Sequence, residues 1–578
     1  MAGKVLDIEH LVSPDTLASD ISNYFQTWHS LRTDWVTEKR ELRNYVFATD
    51  TRTTTNSKLP WSNSTTTPKL TQVYDNLKAN YSAALFPQRK WMRFEADSAD
   101  EQLEQKTNVI QAYMENKLRQ SGFEVEIDKL IDDYILYGNC FATVEFASEY
   151  TELESGEVIP GYVGPRIVRI SPFDIVFNPT APDFENSPKI IRSIVTLGEI
   201  KKRIEDGEDH LSAIFDKMVL NRREVGSGTS TDKSDGFVAD GFNNIEHYYG
   251  SGFVELLTFY GDIYDKNSEE YFTRRKITIV DRAYIIENES IASWLGTAPI
   301  FHAGWRSRPD NLYAMGPLDN LVGMQYRMDH LENLRADVFD QIALPMQLIQ
   351  GDVEEYDYQP GEKIFAGEEG AVSFLRPDTT ALNADLQIQI LQERMEEMAG
   401  APRQAMGIRT PGEKTAFEVQ TLQNSASRIF QHKASKLERE FIEPVLNAML
   451  EAARRNMDYS DTIRVLDDAT GLALFQDITK EDITAKGKIV PVGARHFAER
   501  AQRVQNINQL LQIRAQDQSV GVHLSGKVIA KLLSEELGEA DLYVENVGVH
   551  EAQETQRIAT DAEANAMEEM MVAEELGL

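Results

Sequence analysis

The sequence predicts an α+β fold, mainly α-helical, for a chain of 578 residues. Three observations carry that prediction. Apolar residues recur in three- and four-residue steps up to about residue 137 and again from about 317 to 456. Between about 141 and 310 the period falls to two, as in half-buried strands. From Gly316 to Asn456 the chain then reads as helix, compact polar insert, helix, short basic loop and a much longer helix. The hydrophobic share of 42% supports a sizeable core, and this length accommodates roughly three or four domains.

Residues 1–48 are rich in helix formers, and Tyr24, Phe25, Trp28 and Trp35 at helical spacing read as core. Residues 49–68, dominated by Thr, Ser and Asn and ending at Pro68, read as an exposed loop. A helix follows from Leu70 to about Phe86, and two more lie within 99–137, with a turn at Gln120-Ser121-Gly122. Strand-like runs are Phe141–Phe146, Ile167–Ile170, Asp174–Phe177, Val254–Tyr260, Lys276–Val280, Ala283–Ile286 and Ile300–Ala303. Residues 225–236, rich in Gly, Ser and Asp, read as a flexible insertion or interaction loop.

The first helix of the central stretch is expected from about Pro317 to Ile342, with Pro317 in its first turn. Leu321, Met324, Met328, Leu331, Val338 and Ile342 form its stripe, and Arg335 breaks it. The second, about Ala381 to Met398, places Ala384, Ile388, Leu391, Met395 and Met398 in line, although Leu386, Ile388 and Ile390 also alternate as a strand would. Such narrow stripes suit helix-to-helix seams. The insert 344–378 carries turn signals at Gln359-Pro360-Gly361 and Gly367–Gly370. The long helix opens on the capping box Thr415–Glu418, and Pro444 should kink or divide it. Strand-like Arg464–Leu466 and Lys488–Gly493 precede two or three helices, of which the last, about Glu551 to Glu575, sets eight acidic residues against Arg557.

With 59 Lys and Arg against 93 Asp and Glu, the net charge is −34. That balance excludes a protein wrapped tightly around nucleic acid, since phosphate contacts need cations. On charge alone simple solubility is the first reading, and a passage along which a polyanion slides without sticking is the second. The single cysteine, Cys140, rules out an internal disulfide or a multi-Cys zinc site and lies in an apolar run that reads as buried. No apolar run reaches the roughly 18 residues of a membrane span. Met1-Ala2-Gly3-Lys4 leads into neither a signal-peptide core nor a myristoylation site, so synthesis in a reducing cytosol is expected.

Gly407–Thr415 is the nearest approach to a phosphate loop, but Glu413 separates Gly412 from Lys414 and would face the phosphates. The segment also follows a helix rather than a strand. The histidines are scattered and form no metal-binding pair. The reading is therefore non-enzymatic, with no catalytic residue, cofactor or metal. One basic island stands out: residues 401–440 hold seven Lys or Arg against four Glu. Arg403, Arg409 and Lys414 lie on its loop and could touch a phosphate backbone transiently. Arg428, Lys433, Lys436 and Arg439 are expected to pair with acidic neighbours on the long helix.

The order of parts resembles the portal proteins, or head-to-tail connectors, of tailed bacteriophages, particularly the short-tailed ones. The likeness rests on Tyr313–Leu318 at the entry to the first stem helix, Leu344-Pro345 to Asp378 as a clip, and Gly412–Glu418 at the end of a tunnel loop. Pro491–Arg495, Pro87–Trp91 and Tyr137-Gly138-Asn139 add to it. The resemblance implies a wing over 1–315, a first stem helix over 316–343, a clip over 344–378 and a second stem helix over 379–400. It also implies a tunnel loop over 401–415, a wing helix and β segment over 416–495, and a crown with an acidic C-terminal helix over 496–578. It implies a ring, usually of twelve subunits, at one capsid vertex of the virion, assembled in the host cytoplasm. Double-stranded DNA would pass through the axial channel on packaging and ejection. The implied partners are a terminase large subunit, a tail adaptor, and the major capsid and scaffolding proteins, with no membrane. Candidate site residues are Arg403, Arg409 and Lys414 in the tunnel loop, and Arg327 and Arg335 in the stem. Asp352, Glu354, Glu355, Lys363, Glu368 and Glu369 in the clip would meet the motor or adaptor. The competing readings are a carboxylate-based hydrolase and a tail or baseplate component without a DNA channel.

Overall fold

The computed structural model describes residues 4–47, 66–86, 91–96, 101–152, 158–205, 211–212, 214–217, 253–354, 364–365, 367, 371–375, 379–399, 429–457, 461–466 and 473–491. The chain divides into two units, Met1–Phe86 with Trp91–Val492, and Pro87–Lys90 with Gly493–Leu578. All that follows concerns the first. The loop 49–65, the 225–236 insertion, the tunnel loop, the capping box, Arg428 and the whole crown lie outside the described residues, as do Arg403, Arg409, Lys414, Glu355, Lys363, Glu368 and Glu369.

Helix and strand are both abundant, with helix in the larger share. The N-terminal segment begins with a strand that the helix-rich composition concealed, β1 (Val5–Ile8), which pairs in parallel with a strand some 250 residues later. Helix α1 (Pro14–Leu31) starts with proline in its first turn and Asp15 near the positive end of its dipole. Its buried stripe of Leu17, Ala18, Ile21, Phe25 and Trp28 packs on Val176, Ile190, Leu257, Phe259 and Ile277. Each such side chain withdrawn from water contributes about 1.5–3 kcal/mol. Those sheet residues belong to β5 (Ile175–Phe177), β6 (Lys189–Thr196), β7 (Phe253–Asp265), β8 (Glu270–Val280) and β9 (Tyr284–Ser290), which lie in that spatial order. Strand β6 was not legible as a strand because its start buries Lys189 and Arg192 along with Ile190, which breaks the polar–apolar alternation.

Helix α2 (Thr33–Val46) leaves α1 at Arg32, which is 1% exposed. The Arg32 guanidinium donates to the carbonyls of Pro172, Phe173 and Ile175 at 2.8, 2.5 and 2.7 Å, locking the helical elbow to the turn before β5. Helices α3 (Lys69–Leu85), α4 (Glu101–Gln120) and α5 (Phe123–Leu136) follow. They lead to a second sheet of β3 (Asn139–Glu152) flanked by β4 (Val158–Ile170) and β10 (Ile300–Gly304). Cys140 is fully buried in it, and burial raises its thiol pKa. Strand β2 (Met92–Ala96) pairs with β17 (Gly487–Pro491), and the short hairpin β11 (Arg306–Arg308) and β12 (Asn311–Met315) precedes the central stretch.

A single 3₁₀ turn at Asp319–Leu321 then opens helix α7 (Val322–Ala343), the sixth being the short Leu197–Glu205. Pro317 thus lies ahead of the helix rather than in its first turn, a correction to the expected start. Helix α8 (Asp385–Ala399) returns after a 3₁₀ segment, Thr379–Ala384, and packs on α7. Leu386, Ile388 and Ile390 are therefore helical: Ile388 turns inward, while Leu386 and Ile390, four apart, share the exposed face. The alternation came from two helical faces, not from a strand. Between the helices, β13 (Gln347–Gln350) pairs with β14 (Ala371–Phe374), and Glu354 N to Phe365 O (3.1 Å) and Gly367 N to Asp352 O (2.9 Å) extend the ladder outward.

Beyond residue 428 the helix is described from Ile429 and widens into a π turn over Glu438–Ile442 before α9 (Glu443–Asn456). Pro444 explains the turn, because it lacks the amide that would bond the preceding carbonyl and its ring crowds that turn. Strands β15 (Asp461–Leu466) and β16 (Ala473–Ile478) form a separate hairpin.

Candidate assembly site: the stem hairpin and its root

Two parts make up the site. One is the root, where α7 and α8 meet the body. The other is the free length of the hairpin.

The root is built around the start of α3, whose N-terminus has no side-chain cap of its own. Helix α7 satisfies it instead. Gln325 Oε1 accepts from Leu70 N at 3.2 Å, and Asp329 Oδ1 accepts from Thr67 N at 2.9 Å. Gln325 Nε2 donates to Thr67 O at 2.6 Å and to Asp329 Oδ1 at 2.8 Å. Burial raises the Asp329 pKa, and the bonds from Gln325 and Thr67 oppose that shift. From α8, Glu396 forms a buried ion pair with Lys69, their side chains 4% and 7% exposed. From α2, Lys39 pairs with Asp319, which also accepts from Gly316 N at 2.8 Å. Burial pulls the Lys39 pKa below its ordinary value, with Asp319 pulling it back. Breaking a buried pair by removing one partner typically costs about 3–5 kcal/mol, because the other charge is stranded.

Two glycine segments singled out separately in the sequence meet here. Gly138 has φ of +71°, and a Cβ at that position would come within 2.4 Å of Gly316 N. The backbones therefore cross in contact, which only glycine permits. Asn139 holds the crossing: Nδ2 donates to Ala314 O at 3.0 Å, and Oδ1 accepts from Ala314 N at 2.9 Å.

The hairpin beyond the root is different in kind. Of 24 large apolar side chains exposed among the described residues, 15 lie between Tyr326 and Met398. Leu334, Phe339 and Ile342 line α7; Leu348, Ile349, Ile364, Phe365 and Phe374 cover the strand pair; Leu386 and Ile390 lie on α8. The described residues of the insert expose these apolar side chains, while most of the polar residues behind the polar reading lie outside the described residues. The stripe expected on α7 is largely consumed within the chain: Leu321 and Met328 are buried, Met324, Leu331 and Val338 half-buried, and only Ile342 is exposed. The side chains left bare are mostly ones that lie off the stripe, and that second apolar face was the signal available.

Of the candidate charges, Arg335 is half-buried and joins Asp385 at the start of α8, with Glu332 at 2.7 Å on its own helix. Arg327 is exposed on α7, and Asp352 and Glu354 are exposed on the hairpin. The structure brings Arg335 to the partner helix and leaves the others apart. Arg439 meets Glu440 at 3.3 Å and Lys436 reaches the same carboxylate, as expected on the long helix, while Lys433 departs from the expected pairing. Lys433 donates to Trp305 O at 2.5 Å, and Lys436 to Gly304 O at 2.8 Å and Ser307 Oγ at 2.7 Å, with Glu440 only at 3.6 Å. Buried carboxylates elsewhere have structural partners: Asp133 with Arg169 at 2.6 Å, Asp174 with Arg192 at 3.0 Å, and Glu451 with Trp294 N at 2.9 Å.

Residues 18–155 match the family model of the bacteriophage head to tail connecting protein. The matched span, less than half of the chain, runs from within α1 into the loop after β3 and contains Lys39, Lys69 and Gly138, the body side of the root. It supports a structural role as a phage connector. No curated protein matches the chain. No helix among the described residues is long and apolar enough to cross a membrane.

Proposed function

We propose that this chain is a portal subunit, most like those of short-tailed phages, whose copies close into a ring, twelve in number by the resemblance. Helices α7 and α8 form the stem around an axial passage for double-stranded DNA. The β13–β14 hairpin is the clip, where Asp352, Glu354, Glu355, Lys363, Glu368 and Glu369 face the terminase and later the tail adaptor. Arg403, Arg409 and Lys414 lie on the tunnel loop, and Arg327 and Arg335 on the stem. The body meets the capsid shell at one vertex of the virion, with scaffolding proteins during assembly. Work is done by a partner's hydrolysis rather than by chemistry in this chain.

The observation that carries this reading is the concentration of exposed apolar side chains on the stem hairpin. Apolar patches of this extent mark protein interfaces, and a repeated contact between copies closes into a ring when its rotation allows. The family match in the body adds independent support. The test is end-on electron microscopy with native mass measurement of the purified full-length protein. Rings with a central hole are expected. A stable solitary subunit at high concentration overturns the proposal.

A further inference from the structure

We infer that Arg306 and Arg308, backed by Lys433, form a contact site for backbone phosphates of double-stranded DNA, outside the stem and the tunnel loop. The inference rests on the portal reading. In a chain of net charge −34, these three cations share one small surface at β11 and the helix beginning at Ile429. Among the described residues no carboxylate forms an ion pair with Arg306, Arg308 or Lys433; Glu440 lies 3.6 Å from Lys436, and Asp310 follows Arg308 in the same hairpin. Burial first, then the charges of Lys436 and Arg306, lower the Lys433 pKa, and Glu440 offsets them only in part.

The group is held in place before any ligand arrives. Trp305 is 2% exposed, with Lys433 Nζ at 4.6 Å and the Arg306 guanidinium at 5.1 Å from its ring. Its indole N–H donates to Tyr81 at 3.0 Å, tying the platform to α3. Arg308 spends one N–H on Tyr313 O at 2.9 Å, and Arg306 makes no side-chain hydrogen bond among the described residues. Lys433 has used one of its three donors. Guanidinium forks suit phosphate oxygens, and the anchoring of Arg308 and Lys433 lowers the cost of binding. Arg306 and Arg308 are two residues apart on β11, with an irregularity in the pairing between them. Duplex DNA, with a charge per about 1.7 Å of axis, offers the density such a cluster needs. Because Trp305 is buried under its cations, no aromatic face is free for base stacking, which favours a duplex over a single strand.

The test compares full-length wild type with R306A/R308A and R306K/R308K, using a random-sequence duplex probe over a salt series. R306A/R308A should lower affinity about tenfold or more at low salt and reduce the slope of log affinity against log salt by about 1.8, two phosphate contacts' worth. The lysine pair should keep most of the slope. Unchanged affinity and slope in rings that still form overturn the site and leave the portal reading intact. So does the absence of duplex binding by wild-type rings. Failure of R306A/R308A to form rings would assign the arginines to a neighbouring copy, which also overturns it. Failure of wild type to form rings strikes the portal reading itself.

Discussion

The body and the stem hairpin solve opposite problems with the same amino acids. In the body, even awkward groups find partners within the chain: Arg32 takes three carbonyls, Lys39 takes Asp319, and Lys69 takes Glu396. On the hairpin, ordinary groups are left without cover, with Phe339 55% and Phe365 62% exposed. Evolving chains do not keep such side chains in water for stability, since burying each is worth about 1.5–3 kcal/mol. The difference teaches where the chain ends as a folding unit and begins as a building block. The root marks that border, because its ion pairs fix the hairpin's direction without covering its surface.

The largest effect should come from charging the bare surface. In F339D/F365D, ring formation should be abolished at concentrations where wild type assembles, by sedimentation or native mass. Unfolding of the dissociated subunit should move by no more than about 0.5 kcal/mol, as for exposed sites. Loss of subunit stability comparable to a core mutation would erase the distinction between the two regions.

The root predicts the reverse. Glu396→Ala strands Lys69 in the interior and should cost the subunit about 3–5 kcal/mol in denaturant unfolding. Subunits that remain folded should still assemble, though with the hairpin less well fixed. A change below about 1 kcal/mol would show that the pair is solvated, and with it the root.

How much of this contrast could be read in advance depended on the distance between partners. The helix–insert–helix order was legible because period and turn residues are local signals, and so was the perturbation at Pro444. Strand β1 was not, since four residues pairing in parallel with Asp262–Asp265 leave no local trace. Lys39 and Lys69 carry no local sign of their burial, because their partners lie 280 and 327 residues away. Gly138 and Gly316 each stood out, but nothing short of the fold reveals that their backbones touch. Within the candidate site, the stripe on α7 was legible but its packing was not: Leu321 and Met328 are buried within the chain, and most exposed apolar side chains of α7 lie off it. The tunnel-loop arginines lie outside the described residues and stay as proposed.

The body should also announce itself by titration. Lys189 is 1% exposed in β6, its ammonium bonded to the carbonyls of Phe184 and Glu185 at 2.9 and 3.0 Å. Burial lowers its pKa from 10.5 to about 7. Between those values the unfolded chain holds a proton that the folded one has released, so folding stability rises with pH. The contribution is complete above 10.5 and is lost as pH falls through about 7. The slope is about 1.4 kcal/mol per pH unit within that window. Subtracting the Lys189→Met profile from wild type should isolate it; equal profiles would mean that Lys189 keeps its proton in the fold.

The smallest effect tests the hairpin from within. Arg335 is the one candidate charge that links α7 to α8, yet its partner Asp385 is 77% exposed. Water therefore screens the pair, and Arg335→Ala should cost the subunit only about 0.2–1 kcal/mol, less at high salt. The bond also sits at the start of α8, where Asp385 already gains from the helix dipole without Arg335. If Arg335→Ala instead cost more than about 2 kcal/mol with no salt dependence, the hairpin would be wired internally like the root. The bare apolar side chains would then have to be explained on a stem that holds its own shape, rather than one completed by its neighbours.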